Sequence, residues 1–289
     1  MVRNTVMNQE LVSVIMPTYN GDGLLRKSIE AILSQTYTHL ELLVTDDHST
    51  NPETLSILRQ YARKDKRVKI VYLPANQGPA HARNESIRRA TGRYIAFCDS
   101  DDQWMPNKLE KQLQLMRNRD CALSFTSYVT RNEEGEITGF VLARRRLTFQ
   151  QLKRDNKIGC STAIYDTAKL GGKILMPDLR KRQDWGMLLL IMQRCGVAYG
   201  MRTPLTSYTV RKGSVSNNKF SLVKYNIAVY EKILGFSPLK ALCYFTFLFM
   251  PSYIRKTITK RYCSRRFLNY IRKKGLPLTT SLSEYYDKQ

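Results

Sequence analysis

The sequence predicts an α/β fold: a mostly parallel, Rossmann-like sheet with helices on both faces, followed by a helical, basic C-terminal appendage. Three observations carry that expectation. The first hundred residues alternate short β-rich runs with segments of helical periodicity, the pattern of strand–helix–strand crossovers. Aromatic, acidic and turn-forming residues recur where those runs end. Beyond residue 220 the composition turns apolar-aromatic and then basic.

Residues 11–16 (LVSVIM) read as a first strand closed by Pro17, and residues 24–34 as a helix with Leu25, Ile29, Ile32 and Leu33 on one side. Residues 40–45 (LELLVT) give a second strand. The helix at 52–62 opens with Pro52, whose preset φ suits the first helical position. A third strand at 68–73 leads through Asn76-Gln77-Gly78-Pro79 to a helix at 80–90, stopped by Gly92, and a fourth strand covers 93–99. A helix is expected at 106–118. The pattern then loosens into strands at 121–130 and 136–143 joined by a turn, and another at 160–165. A helix at 186–195 ends at Gly196, strands follow at 197–201 and 205–210, and 212–219 read as a loop. The expected division is an α/β domain over 10–215 and a helical, basic, membrane-associating region over 220–289.

Composition narrows the function. A chain of 289 residues with 43% hydrophobic content can bury a full core, which excludes wholesale disorder. Lys and Arg number 47 against 24 acidic residues, a net charge of +23, of which residues 201–289 supply +14. That excess calls for an anionic partner. The six cysteines form no CxxC pair, so buried reduced thiols are expected rather than a zinc cluster or a disulfide framework. The first twenty residues hold no long apolar stretch ahead of a cleavage site, which points to a cytosolic start.

In the tail, fourteen uncharged residues (ALCYFTFLFMPSYI) lie between Lys240 and Arg255. A spanning helix needs about 20 apolar residues. Basic pairs and triplets follow, from Arg255-Lys256 to Arg272-Lys273-Lys274. Apolar-aromatic surface beside a polybasic segment suits docking on an anionic leaflet. The competing reading is a helix packed on the front domain with a solvated basic end.

Four strand ends carry the chemistry: Pro17-Thr18-Tyr19-Asn20, Asp46-Asp47-His48-Ser49, Asn76-Gln77-Gly78 and Asp99-Ser100-Asp101-Asp102. In a parallel sheet these ends share one rim, where ligands bind. Clustered carboxylates repel one another unless a cation joins them. Mg²⁺ and Mn²⁺ favour carboxylate oxygens and share their shell with phosphates. Helix capping is the competing use of an Asp in the last loop, and capping of the helix at 52 competes for Asp46-Asp47. Tyr19 suits stacking over a flat base, and Arg83 stands one turn into its helix, within reach of a phosphate.

Val14-Ile15-Met16-Pro17-Thr18-Tyr19-Asn20, Ser34-Gln35-Thr36, Asp46-Asp47-His48-Ser49-Thr50, Asn76-Gln77-Gly78 with Ala82-Arg83-Asn84, and Asp99-Ser100-Asp101-Asp102 with Met105-Pro106 resemble family 2 glycosyltransferases in order and spacing, over roughly residues 10–215. The resemblance implies a GT-A fold, a nucleotide-sugar donor, a divalent Mn²⁺ or Mg²⁺ and inversion at the anomeric carbon. By position, Pro17, Tyr19 and Asp47 would bind the nucleoside, and Arg83 would assist. Asp101 and Asp102 would hold the metal and diphosphate, with Asp102 as the direct ligand. Asp184 falls at the family's general base, where Gln183 replaces the usual neighbouring Glu. Arg211, with Ser214 and Ser216, would lie in a loop over the diphosphate. The family's processive polymerases carry Gln-x-x-Arg-Trp and spanning helices; neither is present, so one sugar per visit is expected.

These features favour a transferase moving one sugar, UDP-linked by family default, to a lipid-linked or cell-surface saccharide from the cytoplasmic face of the membrane. A nucleotidyltransferase would want a glycine- and lysine-rich phosphate loop after the first strand, where this chain has Pro-Thr-Tyr-Asn. A nucleic-acid-binding protein accounts for the charge but not for an acidic crevice, so nucleic acid is not the expected partner.

Overall fold

The computed structural model describes residues 10–21, 23–210 and 221–275. The front half alternates as expected: β1 (Val12–Thr18), α1 (Gly23–Leu33), β2 (Leu40–Asp46), α2 (Pro52–Lys64), β3 (Val68–Tyr72), α3 (Pro79–Arg89) and β4 (Tyr94–Phe97). Then come β5 (Gln103–Trp104), α4 (Lys108–Arg119), β6 (Leu123–Arg131), β7 (Ile137–Val141), β8 (Arg146–Thr148), α5 (Phe149–Arg154) and β9 (Ile164–Asp166). The chain continues through α6 (Gln183–Cys195), β10 (Val197–Thr209), α7 (Ser221–Leu234), α8 (Pro238–Tyr244), a π-helical turn over Phe245–Phe249, and α9 (Met250–Lys273).

One sheet runs β3-β2-β1-β4-β9-β6-β10-β5. Its long ladders are parallel: β1 with β2 and β4, β2 with β3, and β6 with β10. Antiparallel pairing is confined to short ladders around β5, β7, β8 and β9. Alternation along the strands feeds two cores. Val12, Val14 and Met16 pack with Leu25, Ile29, Leu58 and Leu109 on one face. Ile15, Ile95 and Phe97 pack with Ile87, Leu188 and Ile191 on the other. Strands buried on both faces therefore read as continuous apolar runs.

Three differences from the sequence expectations follow from local bonding. Residues 160–165 are not one strand: Cys160–Thr162 form a 3₁₀ turn before β9. Thr162 Oγ1 donates to the Gly159 carbonyl (2.7 Å), and Trp104 Nε1 donates to the Ser161 carbonyl (2.9 Å). The two strands expected at 197–210 are a single strand with irregular register around Pro204, because proline cannot donate to the ladder. Short β5, β8 and α5 have too few residues to show a period; α5 is instead fixed by a Thr148–Gln151 capping box.

The tail divides its apolar residues. Val229, Tyr230, Ala241, Phe245 and Phe249 join the front-half core, with Tyr230 edge-on to Trp185 at 5.6 Å between centroids. Phe267 of α9 stacks on Phe140 of β7 (4.7 Å), and Ser264 Oγ accepts from the Phe140 N–H. Yet eight of the twelve large apolar side chains exposed among the described residues lie between 239 and 262. Met250, Ile254, Ile258 and Tyr262 step by four residues along one side of α9. No helix of the described residues is long and apolar enough to cross a membrane.

Lys108, at the start of α4, is wholly buried. Its Nζ lies 4.0 Å from the Trp104 ring centroid and makes no hydrogen bond. Burial brings its pKa from 10.5 down to about 7, with Cys98 acting in the opposite direction. Between those values the unfolded chain holds a proton that the folded chain lacks, so the stability penalty is full below about 7 and fades as pH rises towards 10.5. Every tenfold loss of proton affinity on folding costs about 1.4 kcal/mol, which makes the penalty near neutrality on the order of several kcal/mol. Lys108→Met is expected to raise Tm by several degrees at about pH 6.5 and far less near pH 10. An equal gain at both values would exclude the desolvated ammonium as its source.

Candidate active site

The carboxyl ends of β1, β2 and β4 meet at one rim, and hydrogen bonds join their loops. Asn20, in a left-handed conformation, accepts from the Thr50 and Asn51 N–H groups (2.9 and 3.0 Å). Asp47 accepts from the Gln77 and Gly78 amides, both at 2.8 Å. Gly78 has φ +89°, a conformation that a side chain would strain. Asp47 thus shapes the loop entering α3, and each of its oxygens keeps lone-pair capacity. Asp46 turns back on its own loop, accepting from the Ser49 N–H and hydroxyl. Neither caps α2, since Asn51 takes that place by accepting from Glu53 N. Pro17 is buried in β1, whereas Tyr19 beyond it is 52% exposed.

Arg83 lies on the inner side of α3, 8% exposed, and its Nη2 meets Asp99 Oδ1 at 2.5 Å. Its Nε is buried without a hydrogen-bond partner. Desolvation works against its charge, but Asp99, Cys160 and Asp184 outweigh it and hold the guanidinium above its ordinary range. Asp102 is only 2% exposed. One of its oxygens accepts from Ser161 Oγ (2.5 Å) and the other from Thr209 N (3.2 Å). Burial, then the charges of Asp99 and Asp101, push its carboxyl well above the usual carboxylate range. Asp101 is half-buried, and its carbonyl accepts from Thr209 Oγ1. The acidic loop does not cap α4, whose N-cap position is Asn107.

Asp184 stands in the first turn of α6, where the helix dipole favours a carboxylate. Asn156 Nδ2 donates to its Oδ2 at 3.0 Å. Apart from desolvation, the buried Cys160 thiol is influenced by Arg83, Asp99, Asp184 and Asp102, so Asp184 lies within electrostatic reach of the same buried groups as the acidic loop although 82 residues separate it from Asp102. Gln183 is buried beside it. Arg211, Ser214 and Ser216 lie outside the described residues.

The donor set suits a hard divalent cation. Mg²⁺-type ions take one or two carboxylates and fill the shell with substrate phosphates; among the described residues no group of three or more His, Cys, Asp or Glu side chains is placed to hold a metal ion. Burial and then the charges of Asp99 and Asp101 raise the Asp102 carboxyl, and a bound cation would offset that repulsion. Asp101 is the more open residue; Asp102 is buried, with two hydrogen bonds already made. Ser161, Thr209 and Asn156, which orient the acids, leave no mark in the sequence, because each is a common polar residue brought in by a distant turn or strand.

The family model described as Glycosyl transferase family 2 matches residues 13–169. A Bacillus subtilis protein named as a teichuronic acid biosynthesis glycosyltransferase, TuaG, is 39% identical over 252 residues, covering 87% of this chain and 97% of the relative. The Escherichia coli enzyme WfgD, named as a UDP-Glc:alpha-D-GlcNAc-diphosphoundecaprenol beta-1,3-glucosyltransferase, is 34% identical, covering 75% of this chain and 84% of its own. Among solved structures, S. aureus TarS 1-349 in complex with UDP-GlcNAc superimposes with TM-score 0.64 at 21% identity, over 82% of this chain and 73% of that one. At that identity the likeness is one of fold.

Proposed function

The chain belongs to glycosyltransferase family 2, as an enzyme of the bacterial cell-surface polysaccharide type, and from that premise we propose that it moves one sugar from a UDP-sugar to a hydroxyl of a lipid-linked or cell-surface saccharide, with inversion. The observation that supports this reading most is that Asp184 and the acidic loop both lie within electrostatic reach of buried Arg83 and Cys160. The name of WfgD, a UDP-sugar enzyme with a diphosphate-linked lipid acceptor, supports the donor and acceptor classes.

Tyr19 stacks on the base, with Pro17 and Asp47 framing the nucleoside edge. Arg83, anchored by Asp99, turns its charge towards the diphosphate. Asp101 and Asp102 would hold Mn²⁺ or Mg²⁺, which would supply positive charge at the departing diphosphate. Asp184 takes the proton from the acceptor hydroxyl, a poor nucleophile until deprotonated. Attack from the side opposite the leaving group inverts the anomeric centre without a covalent enzyme intermediate. Arg211, outside the described residues, is assigned to the donor diphosphate by its motif position. The exposed stripe of α8 and α9 rests on the cytoplasmic face of an anionic membrane, which brings the rim to a lipid-borne acceptor.

A panel of nucleotide sugars with Mn²⁺ tests the reaction class. The expected result is consumption of a UDP-sugar with release of UDP, stimulated by a saccharide lipid. Release of pyrophosphate from a nucleoside triphosphate and a sugar phosphate would replace this reading with nucleotidyl transfer.

A further inference from the structure

We propose that a basic cleft between α9 and the β7–β8 connection binds the diphosphate of the lipid acceptor. The cleft encloses about 430 Å³. Arg144, Arg145 and Arg146 line one side, and Arg255, Lys256 and Lys260 of α9 line the other, with Lys157 between them. Phe125, Val141, Leu142 and Ala143 supply an apolar wall, and no carboxylate of the described residues lines the space. An anion with two phosphoryl groups offers enough acceptor oxygens to occupy several such cations at once, as arginine forks favour.

The arrangement is built rather than incidental. Gly200 N donates to the Arg145 carbonyl at 3.0 Å. A Cβ at Gly200 would fall 2.1 Å from the Arg144 carbonyl oxygen and 2.8 Å from the Phe125 ring, so glycine is required for the arginine loop to lie this close. Behind the cleft, buried Asp155 pairs with Lys157 and, at 3.3 Å, with Lys256. Burial, followed by the charges of Lys256 and Arg144, holds Lys157 below the ordinary lysine range despite Asp155. Among the described residues, the cations that line the cleft outnumber the carboxylates paired with them.

Its position fits an acceptor. Lys256 Nζ donates to the Asn156 carbonyl at 2.6 Å, and the Asn156 side chain donates to Asp184 at 3.0 Å. A single residue therefore touches both the cleft and the proposed base. On the outer side, Ile254, Ile258 and Tyr262 of the exposed stripe neighbour Arg255, Thr259 and Cys263 of the cleft along α9. A lipid diphosphate seated here leaves its chain on the apolar stripe and its first sugar directed towards Asp184.

This assignment rests on the glycosyl-transfer reading, and its test separates the two. Farnesyl diphosphate and inorganic pyrophosphate are titrated into the full chain without divalent metal, and UDP with Mn²⁺. In the combined variant Arg144→Gln, Arg255→Gln and Lys260→Gln, farnesyl diphosphate is expected to bind about tenfold or more weakly, with UDP affinity unchanged. Removing three exposed α2 charges (Arg59→Gln, Arg63→Gln, Lys64→Gln) is expected to change neither. Equal loss in both variants, or none in the first, overturns the site. Pyrophosphate binding as tightly as farnesyl diphosphate assigns the cleft to a free anion and overturns the lipid source. Loss of farnesyl diphosphate binding in a protein that consumes no nucleotide sugar leaves the cleft standing and removes the transfer reading. Unchanged KM for a lipid saccharide in the first variant does the reverse.

Discussion

Asp184→Asn is expected to lower sugar transfer by about 10²- to 10⁴-fold while metal-dependent donor binding stays within about twofold of wild type. The substitution keeps the size of the side chain and the first turn of α6 but removes the proton acceptor. The hydrogen bond from Asn156 can persist to the new amide oxygen, so the loop at 156 keeps its place. The residues assigned to the donor lie on other elements: Tyr19 after β1, Asp47 after β2, Arg83 on α3, and Asp101 and Asp102 after β4. Donor affinity, read by calorimetry with Mn²⁺, should therefore separate from turnover. Because the base acts on the acceptor alone, slow hydrolysis of the donor by water should fall less than transfer. Equal loss of binding and transfer would remove Asp184 from the base role and make it part of the donor pocket.

The fold and rim are legible because both depend on local chemistry. Double-sided burial makes β1, β2 and β4 mostly apolar runs, interrupted by the hydrogen-bonded pair Ser13 and Glu41, and each must end in residues that turn the chain towards water or ligand. Those endings, Pro17 to Asn20, Asp46 to Ser49 and Asp99 to Asp102, are where a parallel sheet gathers its ligand-binding loops. The supporting groups are illegible for the opposite reason. Ser161 reaches Asp102 only because Cys160–Thr162 turn instead of continuing β9, and Thr209 does so only because β10 runs unbroken past Pro204. Neither follows from hydrophobic period or propensity. The tail shows the same limit. Its sequence announces apolar and basic content, but which apolar residues face the core depends on where Trp185 and Phe140 wait for them.

Replacing Phe247, Ile254 and Ile258 by glutamate is expected to weaken binding to anionic vesicles by about a hundredfold or more. The three side chains are 72%, 52% and 62% exposed, so they give the fold little and have most of their apolar surface left to bury. Full burial of such a side chain is worth about 1.5–3 kcal/mol; taking about 1 kcal/mol for the remainder of each, three sum to about 3 kcal/mol, and every 1.4 kcal/mol is tenfold. The added negative charge also opposes the neighbouring Arg255 and Arg261 at an anionic surface, where each basic residue contributes about 1 kcal/mol. Truncating the tail cannot make this test, because Phe245 and Phe249 belong to the core that holds Trp185 and their loss would disturb α6 and Asp184 with it. The point variants keep that core intact. Donor hydrolysis in solution should then match wild type, while transfer to a vesicle-borne acceptor falls with binding. Raising salt should weaken the wild type further on anionic than on neutral vesicles. Variants that still sediment with anionic vesicles as wild type does would return the stripe to the solvent and leave the basic charge as the sole membrane contact.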